Sequence, residues 1–236
     1  MDEKELLGSV TKYFEEKIFD NHKKISLKQN SKLKSYKINP ILVKYLSKVL
    51  EDDFTPIGIA KALYYPRVLG TSINTSFGTR IQNMLVELKL ADGSLIKGMD
   101  IEFFDKIDNR KKWCQLKAGP NTINSDDVNP LLKKFSSVAN RARTNQMSLN
   151  NSDLILGVLY GAENQLSQHY KKIDKVYPVI IGVDFWHRIT GFPDFYNKLV
   201  INLDKMILSL DTEQFFKQGY NELVEEITDS ELFNFE

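Results

Sequence analysis

The chain has 236 residues, 42% hydrophobic and 11% aromatic, which is enough to build the core of one enzyme-sized unit with a helical extension. Its 32 basic and 31 acidic residues leave a net charge of +1, so binding to any polyanion must use local patches. A single cysteine excludes an internal disulfide and a cysteine-based zinc cluster, and no apolar run approaches the roughly 20 residues of a membrane span, which together predict a cytoplasmic protein with no membrane partner.

The N-terminal third is predicted to be helical. Apolar residues recur at helical spacing from Leu6 to Ile18. Asn39-Pro40 and Thr55-Pro56 each have the pattern of an N-cap followed by proline at the first helical position, which predicts two further short helices. Pro66 and Gly70 are then expected to break the chain before the next element.

The rest of the chain predicts an α/β core. A helix is expected over TSFGTRIQNMLVELKL, with Thr75 or Ser76 as its N-cap. It leads into a hairpin with strands near 95–104 and 112–118, joined by the polar turn KIDNR, and then into a helix near 127–144.

Two apolar runs farther along, DLILGVLYG and VYPVIIGVDF, have the character of strands buried on both faces, and a helical stretch around NQLSQHYKKI separates them. Two amphipathic helices, DFYNKLVINLDKMI and DTEQFFKQGYNELVEEI, are predicted to follow. The predicted fold is therefore α/β, a central mixed β-sheet flanked by helices. A helical region over 1–70 precedes a core over 71–236.

The predicted hairpin, in GMDIEFFDKIDNRKKWCQLKAGP, carries a convergent set of polar residues. Alternate side chains of a strand share a face, so Asp100 projects with Glu102, and Gln115 projects with Lys117 after the turn. If the apolar side of each strand faces the core, Asp100, Gln115 and Lys117 meet on the opposite surface.

These residue types suit metal-dependent phosphodiester cleavage. Mg²⁺ takes oxygen ligands and usually only one or two protein carboxylates. Asp100 is predicted to anchor the ion, with the Gln115 side-chain oxygen and the backbone carbonyl of Leu116 beside it. Lys117 is predicted to orient or help deprotonate the attacking water and to offset charge on the phosphate. The predicted cofactor is Mg²⁺, with Mn²⁺ as a substitute.

The pattern resembles the PD-(D/E)xK nuclease signature. The stretches YYPRVLGTSINTSFGTRIQ and QLKAGPNTIN are similar to type II restriction endonucleases that cut short interrupted G/C palindromes, over roughly residues 60 to 130. Met99 stands where the motif usually has proline, a residue that binds nothing. Gln115 stands where the motif has Asp or Glu, which removes one negative charge from the metal site.

A replacement carboxylate is expected from elsewhere, and there are two candidates. Glu102 is on the same strand face as Asp100, and Glu87 is on the helix that leads into the hairpin. In nucleases of this resemblance the helix before the Asp strand commonly supplies an acidic residue. Glu87 is therefore favoured as the fourth catalytic residue.

Contacts with DNA are predicted from three segments. The loop after Lys117 and the helix that follows it carry polar and basic side chains suited to bases and phosphates, with Ser125 and Asp126 expected to serve as helix caps. The DNA-binding candidates are Asn121, Thr122, Asn124, Lys133, Lys134, Arg141 and Arg143. The third segment, in the region over 1–70, has eight lysines and no acid between Asp20 and Glu51, and this region is assigned to DNA contact, dimerisation or both.

The resemblance implies a Mg²⁺-dependent, sequence-specific endonuclease that hydrolyses double-stranded DNA. A palindromic target is most simply read by two related copies, which predicts a homodimer in which each subunit cuts one strand. A companion DNA methyltransferase would protect the same site in the host. Two alternatives stay open: a repair or structure-selective endonuclease on the same core, and a noncatalytic DNA-binding protein in which Gln115 marks the loss of cleavage.

Overall fold

A computed structural model describes residues 1–146 and 148–233 of the chain. Residues 234–236, the end of the predicted core region, lie outside the described residues. The described chain divides into two compact units. The first comprises Met1–Lys12 and Gly78–Lys205, and the second comprises Tyr13–Phe77 and Met206–Glu236.

The N-terminal third is helical, as predicted. Its helices are α1 (Glu3–Tyr13), α2 (Asp20–Ile25), α3 (Pro40–Glu51) and α4 (Pro56–Pro66), with π-helical turns at Phe14–Phe19 and Ser26–Asn30 and a short 3₁₀ turn at Leu33–Ser35. The side chain of Asn39 accepts hydrogen bonds from the N–H groups of Ile41 and Leu42, and the hydroxyl of Thr55 accepts one from Gly58. Both predicted Asn-Pro and Thr-Pro helix starts are therefore confirmed.

The predicted break at Pro66 and Gly70 is wrong. Helix α4 continues through a π-helical segment, Arg67–Ser72, directly into α5 (Ile73–Glu87). Proline removes one backbone hydrogen bond but its fixed φ is compatible with a helix, and here the helix widens into a π-helical segment directly after Pro66. The expected N-cap at Thr75 or Ser76 consequently falls inside α5.

The first unit contains a mixed five-stranded sheet in the order β1-β2-β3-β4-β5. The strands are β1 (Asp92–Gly93), β2 (Ile101–Phe104), β3 (Lys111–Lys117), β4 (Leu154–Val158) and β5 (Val179–Ile181). The pairs β1–β2 and β2–β3 are antiparallel, and the pairs β3–β4 and β4–β5 are parallel. The predicted hairpin across KIDNR is confirmed.

Five more helices complete the described chain: α6 (Ser125–Thr144), α7 (Gln168–Asp174), α8 (Gly182–Thr190), α9 (Phe195–Ser209) and α10 (Glu213–Thr228). The run VYPVIIGVDF is a strand only over Val179–Ile181, because α8 begins at Gly182. Gly182 has φ of +52° and its Cα lies so close to the Gly161 carbonyl oxygen that a Cβ would be 2.1 Å from it. The chain therefore turns out of the sheet at a position that only glycine can occupy.

The architecture is the predicted α/β fold, a central mixed sheet flanked by helices. The core on one face of the sheet joins Trp113, Leu154 and Leu156 to residues of α6 and α7, including Phe135 and Tyr170. Among the described residues, the helices are all too short or too polar to cross a membrane.

Candidate active site

Asp100 is the most firmly held residue of the candidate site. It directly precedes β2, and its N–H donates to the Cys114 carbonyl at 2.9 Å. One carboxylate oxygen, Oδ2, accepts from the Leu116 N–H at 2.7 Å. Its own carbonyl accepts from Nε2 of Gln82 at 3.1 Å and from the Ser94 N–H at 3.2 Å. These bonds fix both the backbone and the carboxylate, so the second oxygen, Oδ1, has a defined direction.

Gln115 lies opposite Asp100 on the neighbouring strand. Ile101 pairs with Cys114, so the same register continued by one residue places Asp100 beside Gln115 on a common face. The side-chain oxygen Oε1 of Gln115 is buried and has no hydrogen-bond partner among the described residues. A buried amide oxygen without a partner costs free energy, which marks it as an atom that a ligand could satisfy.

The carbonyl oxygen of Leu116 is the third oxygen at this place. The Leu116 N–H already points at the Asp100 carboxylate, and the N–H and C=O of one strand residue point to the same edge of the strand. The Leu116 carbonyl therefore faces the same edge as Asp100. Together with Asp100 Oδ1 and Gln115 Oε1, it is one of three oxygen atoms from adjoining strand positions that could hold a hard cation.

Lys117 ends β3 and lies on the same strand face as Gln115. It is paired with Val158 in β4, and its carbonyl accepts from the Leu159 N–H at 3.0 Å, which anchors the backbone. Its ammonium group forms no ion pair with an acid of the described chain. A half-buried cation held on a rigid strand beside a carboxylate is available to a phosphate or a water molecule.

The electrostatic environment of Asp100 is mixed. Burial raises the pKa of its carboxyl above the usual value, while the Leu116 N–H and the charges of Lys117 and Lys134 offset part of that rise. Lys134 comes from α6, and its side chain lies across Gly98, where an added Cβ would be 3.6 Å from its Cγ and Cδ. The positive charges of two lysines from different elements thus stabilise the ionised form of one carboxylate.

One expectation about the hairpin is wrong. The face of Asp100, Gln115 and Lys117 is not simply the surface opposite the core, because Trp113 on the same face is only 7% exposed and packs under α6. Strands inside a mixed sheet with parallel neighbours are covered by helices on both faces. Asp100, Gln115 and Lys117 are half-buried, whereas Trp113 on the same face is buried.

The two candidate acids occupy different environments. Glu102 is buried, with Oε1 accepting from the Ser94 hydroxyl at 2.8 Å and Oε2 paired with Lys111 at 2.7 Å. Glu87 is the exposed last residue of α5. Gln82 is the α5 residue that contacts Asp100, and Glu87 projects about 140° away from it around the helix axis. The described residues contain no group of three or more His, Cys, Asp or Glu side chains that could hold a metal ion.

The loop after β3 is held by a polar side chain of its own, Thr122, and by Tyr170 of α7. The hydroxyls of Thr122 and Tyr170 both donate to the Gly119 carbonyl, at 3.1 and 2.9 Å. Asn124 is the N-cap of α6 in a capping box with Asp127, so the expectation that Ser125 and Asp126 cap this helix is wrong. A short Asx side chain one residue earlier reaches the first free N–H groups. All three DNA-contact candidates of this loop, Asn121, Thr122 and Asn124, are exposed.

The four basic candidates on α6 are all exposed: Lys133, Lys134, Arg141 and Arg143. Arg141 donates to the Ser137 hydroxyl at 3.2 Å and lines a cavity of about 460 Å³ together with Lys97, Lys111 and Trp113. This cavity lies on the same sheet face as the site, toward the closed end of the hairpin. Its lining also contains Glu102, which pairs with Lys111, and several apolar side chains, so the cavity carries only part of the positive charge that its basic residues would give it.

The lysine-rich segment between Asp20 and Glu51 is partly neutralised within its own unit. Lys23 pairs with Asp20 at 3.6 Å and Lys48 with Asp52 at 3.0 Å. Lys32 lies 3.4 Å from both Glu222 and Glu226 of α10. At least three of the eight lysines thus form ion pairs inside the protein, and Lys44 lies over the Phe54 ring at 5.3 Å.

Sequence reasoning missed two features. Gln82, which holds the Asp100 backbone, had no signal because no local pattern relates its place on the helix to the strand that carries Asp100. A buried ion network at the closed end of the hairpin was also missed, in which Lys112 and Arg110 both bind Asp153. The signal for it was weak, since Lys112 alternates with apolar residues on the face expected to be buried.

Comparison with known proteins identifies the family. The model of type II restriction endonuclease EcoO109I matches residues 4–208, which is most of the chain and includes the hairpin, the following loop and α6. A search of curated proteins found no match. The prediction of a type II restriction endonuclease on an α/β fold is thereby confirmed. The chain belongs to the family of type II restriction endonuclease EcoO109I and is a site-specific deoxyribonuclease.

Proposed function

We propose that this enzyme hydrolyses double-stranded DNA with Mg²⁺ at a variant PD-(D/E)xK site, in which Gln115 stands at the position of the second acid and Mn²⁺ can replace Mg²⁺. The observation that carries the proposal is the buried, unpartnered Oε1 of Gln115 opposite the Asp100 carboxylate. An amide oxygen held without a partner beside a carboxylate fits a metal ligand better than a structural residue.

The residues present fit a hard divalent cation. Asp100 Oδ1, Gln115 Oε1 and the Leu116 carbonyl come from adjoining strand positions, and Mg²⁺ commonly uses one carboxylate and leaves its other positions to water and phosphate. Because Gln115 replaces the second acid of the motif, the protein would supply the cation with one negative charge less than a site with two carboxylates. Lys117 and Lys134, which both act on Asp100, would then hold the substrate phosphate at the site.

The chain's own groups would share the work of hydrolysis. Lys117 hydrogen-bonds the attacking water and offsets the charge that develops on the phosphate as the new P–O bond forms and the ester P–O bond breaks. Asp100, fixed by the Leu116 N–H, keeps the oxygen cluster in place. The cation, when bound, polarises the phosphate and lowers the pKa of coordinated water.

The remaining assignments concern substrate and partners. The exposed α6 residues Lys133, Arg141 and Arg143 would contact phosphates or guanine, and the loop residues Asn121, Thr122 and Asn124 would face the bases beside the cut. A palindromic target would be read by a homodimer. The enzyme would act in the cytoplasm, where a methyltransferase of the same specificity protects the host DNA.

The test is digestion of a long unmethylated DNA with and without Mg²⁺ and with excess chelator. We expect discrete bands that appear with Mg²⁺ or Mn²⁺ and vanish on chelation. Bands without metal would overturn the Mg²⁺ assignment. A smear restricted to branched or damaged DNA would indicate the repair alternative, and binding without cleavage would indicate a noncatalytic protein, which the family match does not favour.

Glu87 is proposed as an additional acid of the site, and its role has a separate test. Because Glu87 is exposed and Gln82 is the α5 residue in contact with Asp100, we expect Glu87→Gln to slow cleavage by a measurable factor of up to about 10, as for a supporting charge. Single-turnover rates on a mapped site would measure it. A wild-type rate would remove Glu87 from the site, and a loss as large as that of Asp100→Asn would make it a metal ligand.

A further inference from the structure

Tyr160 is a half-exposed aromatic residue directly beside the candidate site. It follows the end of β4 by two residues, its side chain is 46% exposed, and the last β4 residue, Val158, pairs with Lys117. Its ring packs against Gly119, a buried residue two positions after Lys117, where a Cβ would lie 2.4 Å from both Cζ and the hydroxyl oxygen of the tyrosine. The groups proposed to carry out hydrolysis do not include this side chain.

The backbone on both sides of Tyr160 is fixed. The Leu159 N–H donates to the carbonyl of the last β3 residue at 3.0 Å, and the Leu159 carbonyl accepts from the Trp186 indole N–H at 2.9 Å. Gly161 has φ of +105°, and its carbonyl lies against Gly182 so closely that a side chain at Gly182 would clash with it. Tyr160 is therefore presented to solvent from a rigid backbone.

The Tyr160 hydroxyl is available to a ligand. The neighbouring Tyr170 is buried, and its hydroxyl donates to the Gly119 carbonyl and contacts the Thr122 hydroxyl at 2.9 Å. The Tyr160 hydroxyl, in contrast, forms no hydrogen bond with residues 1–146 or 148–233. A phenolic O–H is a strong donor to an anionic oxygen, and such bonds are stronger than those between neutral groups.

We propose that the Tyr160 hydroxyl donates a hydrogen bond to the phosphate next to the scissile one in the bound DNA strand. This inference rests on the proposed function, which puts the scissile phosphate at Asp100 and Lys117. Asp100 flanks β3 on the β2 side, and Tyr160 flanks it on the β4 side. With strands about 4.8 Å apart and about 3.3 Å per residue, the Cα atoms of Tyr160 and Lys117 are on the order of 8 Å apart. That separation is comparable with the spacing of successive phosphates along one DNA strand.

The position of Tyr160 favours a phosphate over a base as its partner. Gly119 contacts the hydroxyl end of the ring, so the ring is not free on every side, as a platform for base stacking would be. Tyrosine hydroxyls are common donors to phosphate oxygens, and such contacts fix the register of a protein on the duplex. Tyr160 also lies between Lys117 and the loop of Asn121 and Thr122, which is proposed to face the bases beside the cut. The contact would set the DNA strand in register with both.

A double-mutant cycle between protein and DNA tests this contact. Tyr160→Phe removes only the hydroxyl, and a methylphosphonate placed in turn at each phosphate around the cut removes one charged oxygen. The dissociation constant would be measured in Ca²⁺ on a duplex that contains the mapped site. Tyr196→Phe is the matched control, because Tyr196 is a half-buried tyrosine of α9 in the same unit and forms no hydrogen bond with the described chain.

We expect Tyr160→Phe to raise the dissociation constant for unmodified DNA by about 10-fold or more, the usual effect of losing a hydrogen bond to a charged group. The same variant should have little further effect on DNA with a methylphosphonate at one of the two phosphates next to the scissile one, because that contact is already lost. At the other phosphates the two effects should add. Tyr196→Phe should bind like the wild type.

A second variant tests the position of the ring. Gly119→Ala inserts a Cβ against the Tyr160 ring and should weaken DNA binding about as much as Tyr160→Phe. Gly119→Ala combined with Tyr160→Ala should bind no more weakly than Tyr160→Ala alone, because the clash is gone. Far-ultraviolet circular dichroism would verify that each variant is folded.

Other outcomes overturn the proposal. Wild-type affinity of Tyr160→Phe, additive effects at both phosphates next to the scissile one, or coupling only at a distant phosphate would each reject this contact. Loss of binding in Tyr160→Leu but not in Tyr160→Phe would assign the ring to stacking instead. Failure of the proposed function is separate, since it would appear as full cleavage by Asp100→Asn, whereas the Tyr160 cycle measures binding without cleavage.

Discussion

Asp100→Asn and Lys117→Met should each lower the rate of DNA cleavage by about 10³-fold or more at saturating Mg²⁺, which corresponds to about 4 kcal/mol of transition-state stabilisation. Of the three oxygen atoms proposed to hold the cation, only the one from Asp100 belongs to a carboxylate. Substitution of Asp100 by asparagine therefore leaves the three without a negative charge. Lys117 supplies the cation that faces the attacking water. Single-turnover cleavage of a mapped site would measure both losses.

Matched variants separate this effect from damage to the fold. Asp204→Asn and Lys171→Met change the same residue types at exposed positions of the same unit and should cleave at the wild-type rate. DNA binding of the Asp100 and Lys117 variants, measured in Ca²⁺, should stay within about 10-fold of the wild type, because most phosphate contacts lie elsewhere. Full activity of either site variant would refute the assignment of that residue.

Asp153→Ala should lower the free energy of unfolding by about 3–5 kcal/mol, the usual cost of breaking a buried ion pair. Lys112 is 2% exposed, and its ammonium lies 3.1 Å from Asp153 Oδ1 and 3.2 Å from the Ser152 carbonyl. Arg110 binds the same carboxylate through Nε at 2.8 Å. Removing Asp153 leaves the charge of Lys112 buried beside Asp108 alone. Urea denaturation would measure the loss.

A double variant and a pH series test the cause. Asp153→Ala combined with Lys112→Met should recover part of the loss, because no unpaired charge stays buried.

Burial alone would raise the pKa of Asp153, but hydrogen bonds from Arg110, the Asn150 N–H and Lys112 lower it from 3.8 to about 2. Its contribution to stability is therefore complete above about pH 4 and should disappear as the pH falls toward 2. A loss below about 1 kcal/mol for Asp153→Ala would contradict the network's role.

Local patterns predicted the parts of the fold that depend on neighbouring residues. An N-cap depends only on one side chain and on the N–H groups of the next three residues. Both predicted N-caps, at Asn39 and Thr55, form. The hairpin follows from strand alternation and a polar turn, and its register pairs Glu102 with Trp113 as the shared face requires. Pro66 was misjudged because the hydrogen-bond pattern of a helix can widen around a proline, which composition does not reveal.

The sequence by itself determined that Asp100, Gln115 and Lys117 share one strand face, because a strand has a strict period of two residues. Only the tertiary structure decided what surrounds them. Helix α6 covers Trp113, the Lys134 side chain lies across Gly98, and Gln82 holds the Asp100 backbone. These contacts join residues 18 or more positions apart, or elements on different layers. Such contacts are fixed by the packing of helices on the sheet, which no local spacing encodes.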